Sequence, residues 1–216
     1  MKALPGGRRW GSLLSTRAHV EMMRGALNYE YRGMKAVRYP VDVPIYLMLL
    51  QELRPRTVIE IGSKEGGGAV MLGDFLNMLE IPAKVHSIDL HPPDPKYQPY
   101  NVKFYKGDEN DLDHCGLNFS GHPHPWLVIQ DASHQYAGVM NSLSFLNKYM
   151  VKGDYMVVED GYITQCGMDG HDRHGGPARA IAEFLHHCPD WRIDTRLCDF
   201  FGFNVTANTN GYLVKS

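Results

Sequence analysis

From Thr57 onward, short apolar runs alternate with stretches of helical period, and this alternation predicts an α/β fold. Thr57-Val58-Ile59-Glu60-Ile61 reads as a first strand, and Ala69 to Leu79 as the helix after it. Val85 to Asp89 reads as a second strand and Val102 to Tyr105 as a short third, followed by the turn residues Gly107-Asp108. Trp126-Leu127-Val128-Ile129-Gln130 and Tyr155-Met156-Val157-Val158 are short and apolar, as strands buried on both faces of a parallel sheet are. A helix from about Tyr136 to Tyr149 lies between them. Pro177 to His187 repeats apolar residues at Ala178, Ile181, Ala182 and Leu185, with proline at the first turn of a helix. Trp191 to Arg196 and Gly211 to Val214 read as closing strands. The expected architecture is Rossmann-like: a mostly parallel, seven-stranded sheet with helices on both faces.

The chain before this pattern differs in kind. It is polar and methionine-rich up to Tyr31, and a helical pattern resumes over Val43 to Leu53. We expect residues 1–45 to form an N-terminal helical extension, a lid or an oligomer contact, and residues 46–216 the main domain. A plain helix packed on the sheet is the alternative.

Composition narrows the function classes. The 216 residues suffice for one well-buried domain. Hydrophobic residues at 44% and charged ones at 21% are ordinary for a soluble globular protein. A net charge of −2 offers no general attraction for nucleic acid or an anionic membrane. Met1 to Arg17 has only Leu13-Leu14 as an apolar centre, unlike a signal peptide, and no run approaches a bilayer span. Cys115, Cys166, Cys188 and Cys198 show no CxxC pairing, which suits reduced thiols in the cytoplasm.

Candidate chemistry sits where the strands end. Asp131-Ala132-Ser133-His134 and Glu159-Asp160-Gly161 each close an apolar run, and in open α/β sheets such ends converge on the ligand crevice. Carboxylates gathered there with a histidine can hold a hard cation and move a proton. Upstream, Glu60-Ile61-Gly62-Ser63-Lys64-Glu65-Gly66-Gly67-Gly68 joins a strand to a helix, and its glycines let a ligand approach the backbone. It is neither GxGxxG, whose second glycine would fall at Lys64, nor a P-loop. Glu60 would repel a pyrophosphate and suit a cationic cofactor. Asp89 at the second strand's end can accept both hydroxyls of a ribose, and Asp108 can help to frame an adenine. Together these favour S-adenosylmethionine, with Glu60, Gly62, Ser63, Gly66, Asp89, Asp108 and Asp131 as cofactor-binding candidates.

At this point the sequence resembles the class I methyltransferases, and more narrowly the cephalosporin hydroxylase-like (CmcI-type) family. The likeness is carried by Tyr31-Arg32-Gly33, Tyr39-Pro40-Val41-Asp42, Leu53 to Gly62, Asp131-Ala132-Ser133-His134 and Val157-Val158-Glu159-Asp160. It continues through Gly175-Gly176-Pro177, Ala180-Ile181, Glu183-Phe184-Leu185 and Asn210-Gly211-Tyr212-Leu213. The resemblance implies S-adenosylmethionine at the glycine loop and a divalent metal, Mg2+ or Mn2+, on Asp131, Glu159 and Asp160. It also implies His134 as the base, through the Asp-x-x-His motif of related sugar O-methyltransferases. His134 lies three positions after Asp131, so a helical turn there would put both on one side.

The expected activity is transfer of a methyl group to a hydroxyl of a small molecule, a glycoside or natural-product intermediate with a vicinal diol. An oxygenation component, as the family's founding name suggests, is a second reading, and a noncatalytic S-adenosylmethionine-binding partner protein a third. No facial triad for iron is evident, because the Asp131 region offers one histidine. A nicotinamide oxidoreductase fits worse, for the glycine spacing. Cys166, His171 and His174 raise a zinc site whose spacing matches no familiar four-ligand set, and a glycine-flanked substrate loop is the alternative. We expect a homo-oligomer joined through the N-terminal segment.

Overall fold

The structure, a computed structural model, describes residues 3–94, 97–167 and 174–216. The chain opens with helix α1 (Thr16–Asn28), a hairpin of β1 (Glu30–Tyr31) and β2 (Met34–Lys35), and helix α2 (Asp42–Leu53). The alternating part then runs β3 (Thr57–Ile61), α3 (Gly67–Met78), β4 (Lys84–Asp89) and β5 (Val102–Lys106). It continues with β6 (Trp126–Gln130), α4 (Tyr136–Asn147), β7 (Tyr155–Val158), α5 (Tyr162–Gln165), α6 (Gly176–His187), β8 (Trp191–Ile193), α7 (Thr195–Cys198) and β9 (Tyr212–Lys215).

The seven strands from β3 to β9 form one sheet in the order β5-β4-β3-β6-β7-β9-β8. Strands β5, β4, β3, β6 and β7 are parallel, and β9 runs antiparallel to both β7 and β8. This is the mostly parallel Rossmann-like sheet that the alternation predicts. All five residues of β3 and of β6 are buried, because helices cover both faces. Successive side chains of a strand point to opposite faces. Val58, Leu127 and Ile129 accordingly pack with Ile45 and Leu49 of α2 and Leu72 and Leu76 of α3. Ile59, Ile61 and Val128 pack the other way, against Val139, Leu143 and Leu146 of α4 and Ile181 and Phe184 of α6. Truncating one of these leucines to alanine would cost about 2–5 kcal/mol.

Chain order reverses beside β3: β4 and β5 build outward on one side, β6 and β7 on the other. A crevice therefore opens at the carboxyl ends of β3 and β6.

Two boundaries differ from the sequence pattern. The strand expected from Trp191 to Arg196 stops at Ile193, because the Asp194 side chain accepts the Arg196 amide and caps α7. The division expected at residue 45 falls inside α2, a continuous helix whose Ile45 and Tyr46 are fully buried in the main core. The N-terminal segment is also tied to the same body. Arg8 donates to both Asp199 oxygens at 3.0 and 2.7 Å, and Leu13 N–H donates to the Phe203 carbonyl at 2.9 Å. Among the described residues, no helix is long and apolar enough to cross a membrane.

Candidate active site

A cavity of about 640 Å³ occupies the crevice. Glu60, Gly62, Ser63, Asp89, Asp108, Asp131, His134, Glu159 and Asp160 all line it, from the ends of the five parallel strands and the loops after them. Gly66 does not line it. That residue is the left-handed N-cap of α3 (φ +85°), packed so that a Cβ would lie 3.0 Å from Phe104 and Pro93. Its glycine serves the turn.

Gly62 has a different reason. Its amide donates to the Ile88 carbonyl and the Asp131 amide donates to the Ile61 carbonyl, which draws β4, β3 and β6 together at their ends. A Cβ on Gly62 would stand 2.1 Å from the Asp131 carbonyl oxygen, and its φ of +102° is itself costly for other residues. The loop then turns back on Asp89. One Asp89 oxygen accepts the Ser63 and Lys64 amides at 2.8 and 3.0 Å, and the other accepts the His91 amide at 2.8 Å. Three backbone donors thus fix this carboxylate at the cavity wall, with lone pairs to spare for a ligand's hydroxyls.

The acidic residues at the ends of β3, β6 and β7 meet at one guanidinium. Arg38, only 3% exposed, donates through Nη2 to Glu60 Oε1 at 2.7 Å and through Nη1 to Asp131 Oδ2 at 2.8 Å and to Glu159 Oε1. Tyr46 of α2 adds a hydroxyl bond to the same Glu159 oxygen. Ser87 donates to the other Glu60 oxygen. Burial works against the Arg38 charge, and Glu159 and Asp131 more than offset it, so its pKa rises well above the usual value. Burial also pushes the Asp131 carboxyl up to about 7 and the Glu159 carboxyl up to about 8, in each case against the pull of Arg38. Glu60 lines the cavity already paired with Arg38 and Ser87.

His134 and Asp160 complete the group. One ligand atom each from Asp131, His134 and Asp160 lie within 4.8 Å of one another, a spacing that can hold a metal ion. His134 Nε2 is 3.3 Å from Asp160 Oδ2, and His134 Nδ1 is buried without a partner among the described residues. The expected helical turn between Asp131 and His134 is absent: residues 131–135 are a loop, α4 starts only at Tyr136, and His134 has a φ of +58°. Asp160 also sits in the left-handed region, at +60°. Such backbone is uncommon outside glycine and concentrates at functional sites. Glu159 is not in this close group, because its side chain turns toward Arg38 and Tyr46.

A family model described as Rhamnosyl O-methyltransferase/CmcI matches residues 24–216. The chain belongs to that family. It is therefore a methyltransferase, as the resemblance implied. A rhamnosyl O-methyltransferase of Mycobacterium leprae (strain TN) is 29% identical over 195 residues, covering 86% of this chain and 82% of that protein. Among solved structures, CmcI with Mg and SAM is 24% identical with a TM-score of 0.64, covering 88% of this chain and 77% of that one. MycE, from the mycinamycin biosynthetic pathway and bound to Mg, SAH and mycinamycin VI, is 21% identical with a TM-score of 0.51. That likeness covers 68% of this chain and 42% of MycE. These structural likenesses establish the sheet and its topology.

Three of the family member's site residues escaped the sequence reading. Arg38 immediately precedes Tyr39-Pro40-Val41-Asp42, and a lone basic residue against that motif was the available signal. It follows Val37, a β-branched residue held at φ +44°, which is a strained conformation. Tyr46 looked like one more apolar position of α2. Glu109, 8% exposed, lines the cavity and accepts Gln130 Nε2–H at 2.7 Å. Burial raises its pKa. Gly138 of α4 makes room for it, since a Cβ there would fall 2.2 Å from a Glu109 oxygen. Of the Cys166, His171 and His174 set, His171 lies outside the described residues.

Proposed function

We propose that this chain is an S-adenosylmethionine-dependent, divalent-metal-dependent O-methyltransferase acting on a hydroxyl of a sugar or other vicinal diol in a glycoside or natural-product intermediate. The observation that carries the reading is the close group of Asp131, His134 and Asp160 in the wall of the same cavity as Asp89 and the glycine loop. The donor set fits a hard cation: carboxylate oxygens of Asp131, Asp160 and, one step behind them, Glu159. The fit to an adenosine-bearing cofactor rests on the Asp89 carboxylate, fixed by backbone amides in the cavity wall beside Gly62 and Ser63. The names of the mycobacterial relative and the Mg- and SAM-bound CmcI point the same way.

When bound, a divalent ion supplies Lewis acidity toward a substrate hydroxyl, and S-adenosylmethionine supplies a methyl group on a positively charged sulfur. The chain's own residues do the rest. Asp89 receives ribose hydroxyls, and Asp108 frames the base. His134 removes the proton from the acceptor hydroxyl, the general-base role that imidazole serves most often. Fixed positions supply much of the rate. The His134 spacing also favours a second role for that residue, as a third ligand beside Asp131 and Asp160.

Cytoplasmic location and self-association belong to the same proposal; exposed Leu13 and Leu27 near the N-terminus support the latter, and light scattering checks it. The activity is tested by incubating the chain with methyl-labelled S-adenosylmethionine and a panel of rhamnosides and other diols, with Mg2+ or with EDTA. A product heavier by one labelled methyl, formed only with the metal, is expected. Methylation undiminished by EDTA would remove the metal from the mechanism, and oxygen uptake with substrate and reductant would favour an oxygenation role.

A further inference from the structure

The contacts to Asp131 and Glu159 are one-sided. Arg38 Nη1 takes Oδ2 of Asp131, and Arg38 and Tyr46 both take Oε1 of Glu159. Among the described residues no hydrogen bond goes to Asp131 Oδ1 or Glu159 Oε2, and neither atom is among those buried without a partner. Both residues line the cavity, so each turns one oxygen to the protein and keeps the other for the cavity. The arrangement is built from rigid parts. A guanidinium is planar, and this one spans three strand ends at once, with Nη2 on Glu60 of β3. Its side chain is 2% exposed, and Tyr46 is fully buried on α2, so neither can be replaced by water at the surface. Arg38 Cζ also lies 5.6 Å from the Tyr46 ring centroid, which couples the two donors. Among the described residues nothing else bonds the Glu159 side chain: its other bond is a backbone one, from its amide to the Gln130 carbonyl at 2.9 Å.

We propose that Arg38 and Tyr46 are positioning residues: Arg38 holds Oδ2 of Asp131 and so presents its other oxygen to a divalent cation, and Tyr46 fixes the guanidinium through the Glu159 oxygen that the two share. This rests on the metal reading above and deepens it: the protein supplies an outer layer of donors that orients the ligands before any ion arrives. Outer partners of this kind are commonly worth 10–100-fold in metal affinity. Arg38 carries a second duty, since it is the one cation set directly against these buried carboxylates in the described residues, and without it they would repel one another.

The test is Mn2+ binding, read by the free-ion signal in electron paramagnetic resonance, on the whole chain without substrate. Tyr46→Phe, which removes one oxygen and keeps the ring, should weaken Mn2+ binding about tenfold. Its affinity for S-adenosylhomocysteine, measured without metal, and its thermal midpoint should hold. Arg38→Met should lose about 100-fold or more, and Arg38→Lys, keeping charge without the planar fork, should fall between Arg38→Met and the wild type. Wild-type affinity in both Tyr46→Phe and Arg38→Met would overturn the proposal, as would tighter binding by Arg38→Met, which would make the guanidinium a competitor of the ion. A Tyr46→Phe chain that loses S-adenosylhomocysteine and Mn2+ in equal measure would show a structural role only and overturn it too. A wild-type chain that binds no Mn2+ would remove the metal reading itself, a result distinct from the others.

Discussion

The sheet buries carboxylates at both of its ends, and it treats them oppositely. At the amino end of β7, Asp154 is wholly buried and amply satisfied: it accepts the Trp126 amide at 2.8 Å and the Val151 amide at 2.7 Å, and His124 Nδ1 lies 2.8 Å away. At the carboxyl ends, Asp131 and Glu159 share one guanidinium with Glu60, each keep an oxygen with no hydrogen bond from the described residues, and have carboxyls pushed up to about 7 and about 8 by burial. The first end uses a charge to tie loop to strand. The second holds charge against its own preference, and that strain is affordable only because well-packed strands on either side fix the positions. Burial alone therefore does not separate the two kinds of carboxylate; incomplete internal solvation beside a cavity does.

Substitutions at the two ends should fail in different ways. His134→Ala should lower turnover about 10²–10⁴-fold, the range for a general base, with the urea midpoint unchanged. Mn2+ affinity then separates its two roles: retained affinity assigns it as base, and affinity lost together with turnover assigns it as ligand. Asp154→Ala should do the reverse, costing about 2–4 kcal/mol in urea unfolding by stranding buried amides, while the folded fraction keeps its affinity for S-adenosylhomocysteine. A stable, inactive Asp154→Ala would erase the distinction.

Much of this was legible in the chain. Strands β3, β6 and β7 were visible as apolar runs, since burial on both faces leaves little polar alternation to confuse them, and the strand ends put Glu60, Asp89, Asp131 and Glu159 in one crevice. Arg38 and Tyr46 were not legible because their meaning is entirely long-range: Arg38 meets Asp131 93 positions later, and Tyr46 meets Glu159 113 positions later. Within α2, Tyr46 satisfies the helical period and gives no sign that its hydroxyl reaches a carboxylate. The Asp131–His134 pairing was foreseen for the wrong reason, since three-residue spacing fits a helical turn, whereas a left-handed residue in a loop delivers the imidazole.

A third carboxylate lies between the two extremes. Asp42 is buried, accepts the Ala207 amide at 3.0 Å and a Thr206 hydroxyl bond, and is pushed up to about 7, chiefly by burial. Its folded value thus lies above the ordinary 3.8. The stability it contributes is complete below the unfolded value and is lost as pH rises toward about 7. Over that interval the slope is at most ~1.4 kcal/mol per pH unit. Asp42→Asn should flatten the pH dependence of the urea midpoint between about pH 4 and 7. An unaltered slope would place the titration elsewhere.

The most direct test of the central claim, that the strand-end carboxylates gather one divalent ion beside the cofactor, is anomalous diffraction from crystals grown with Mn2+ and S-adenosylhomocysteine. The account predicts a single manganese peak within about 2.0–2.3 Å of Asp131 and Asp160 oxygens, with the nucleoside against Asp89. Manganese on other residues, or an occupied cofactor site whose carboxylates hold no metal under saturating Mn2+, would contradict it.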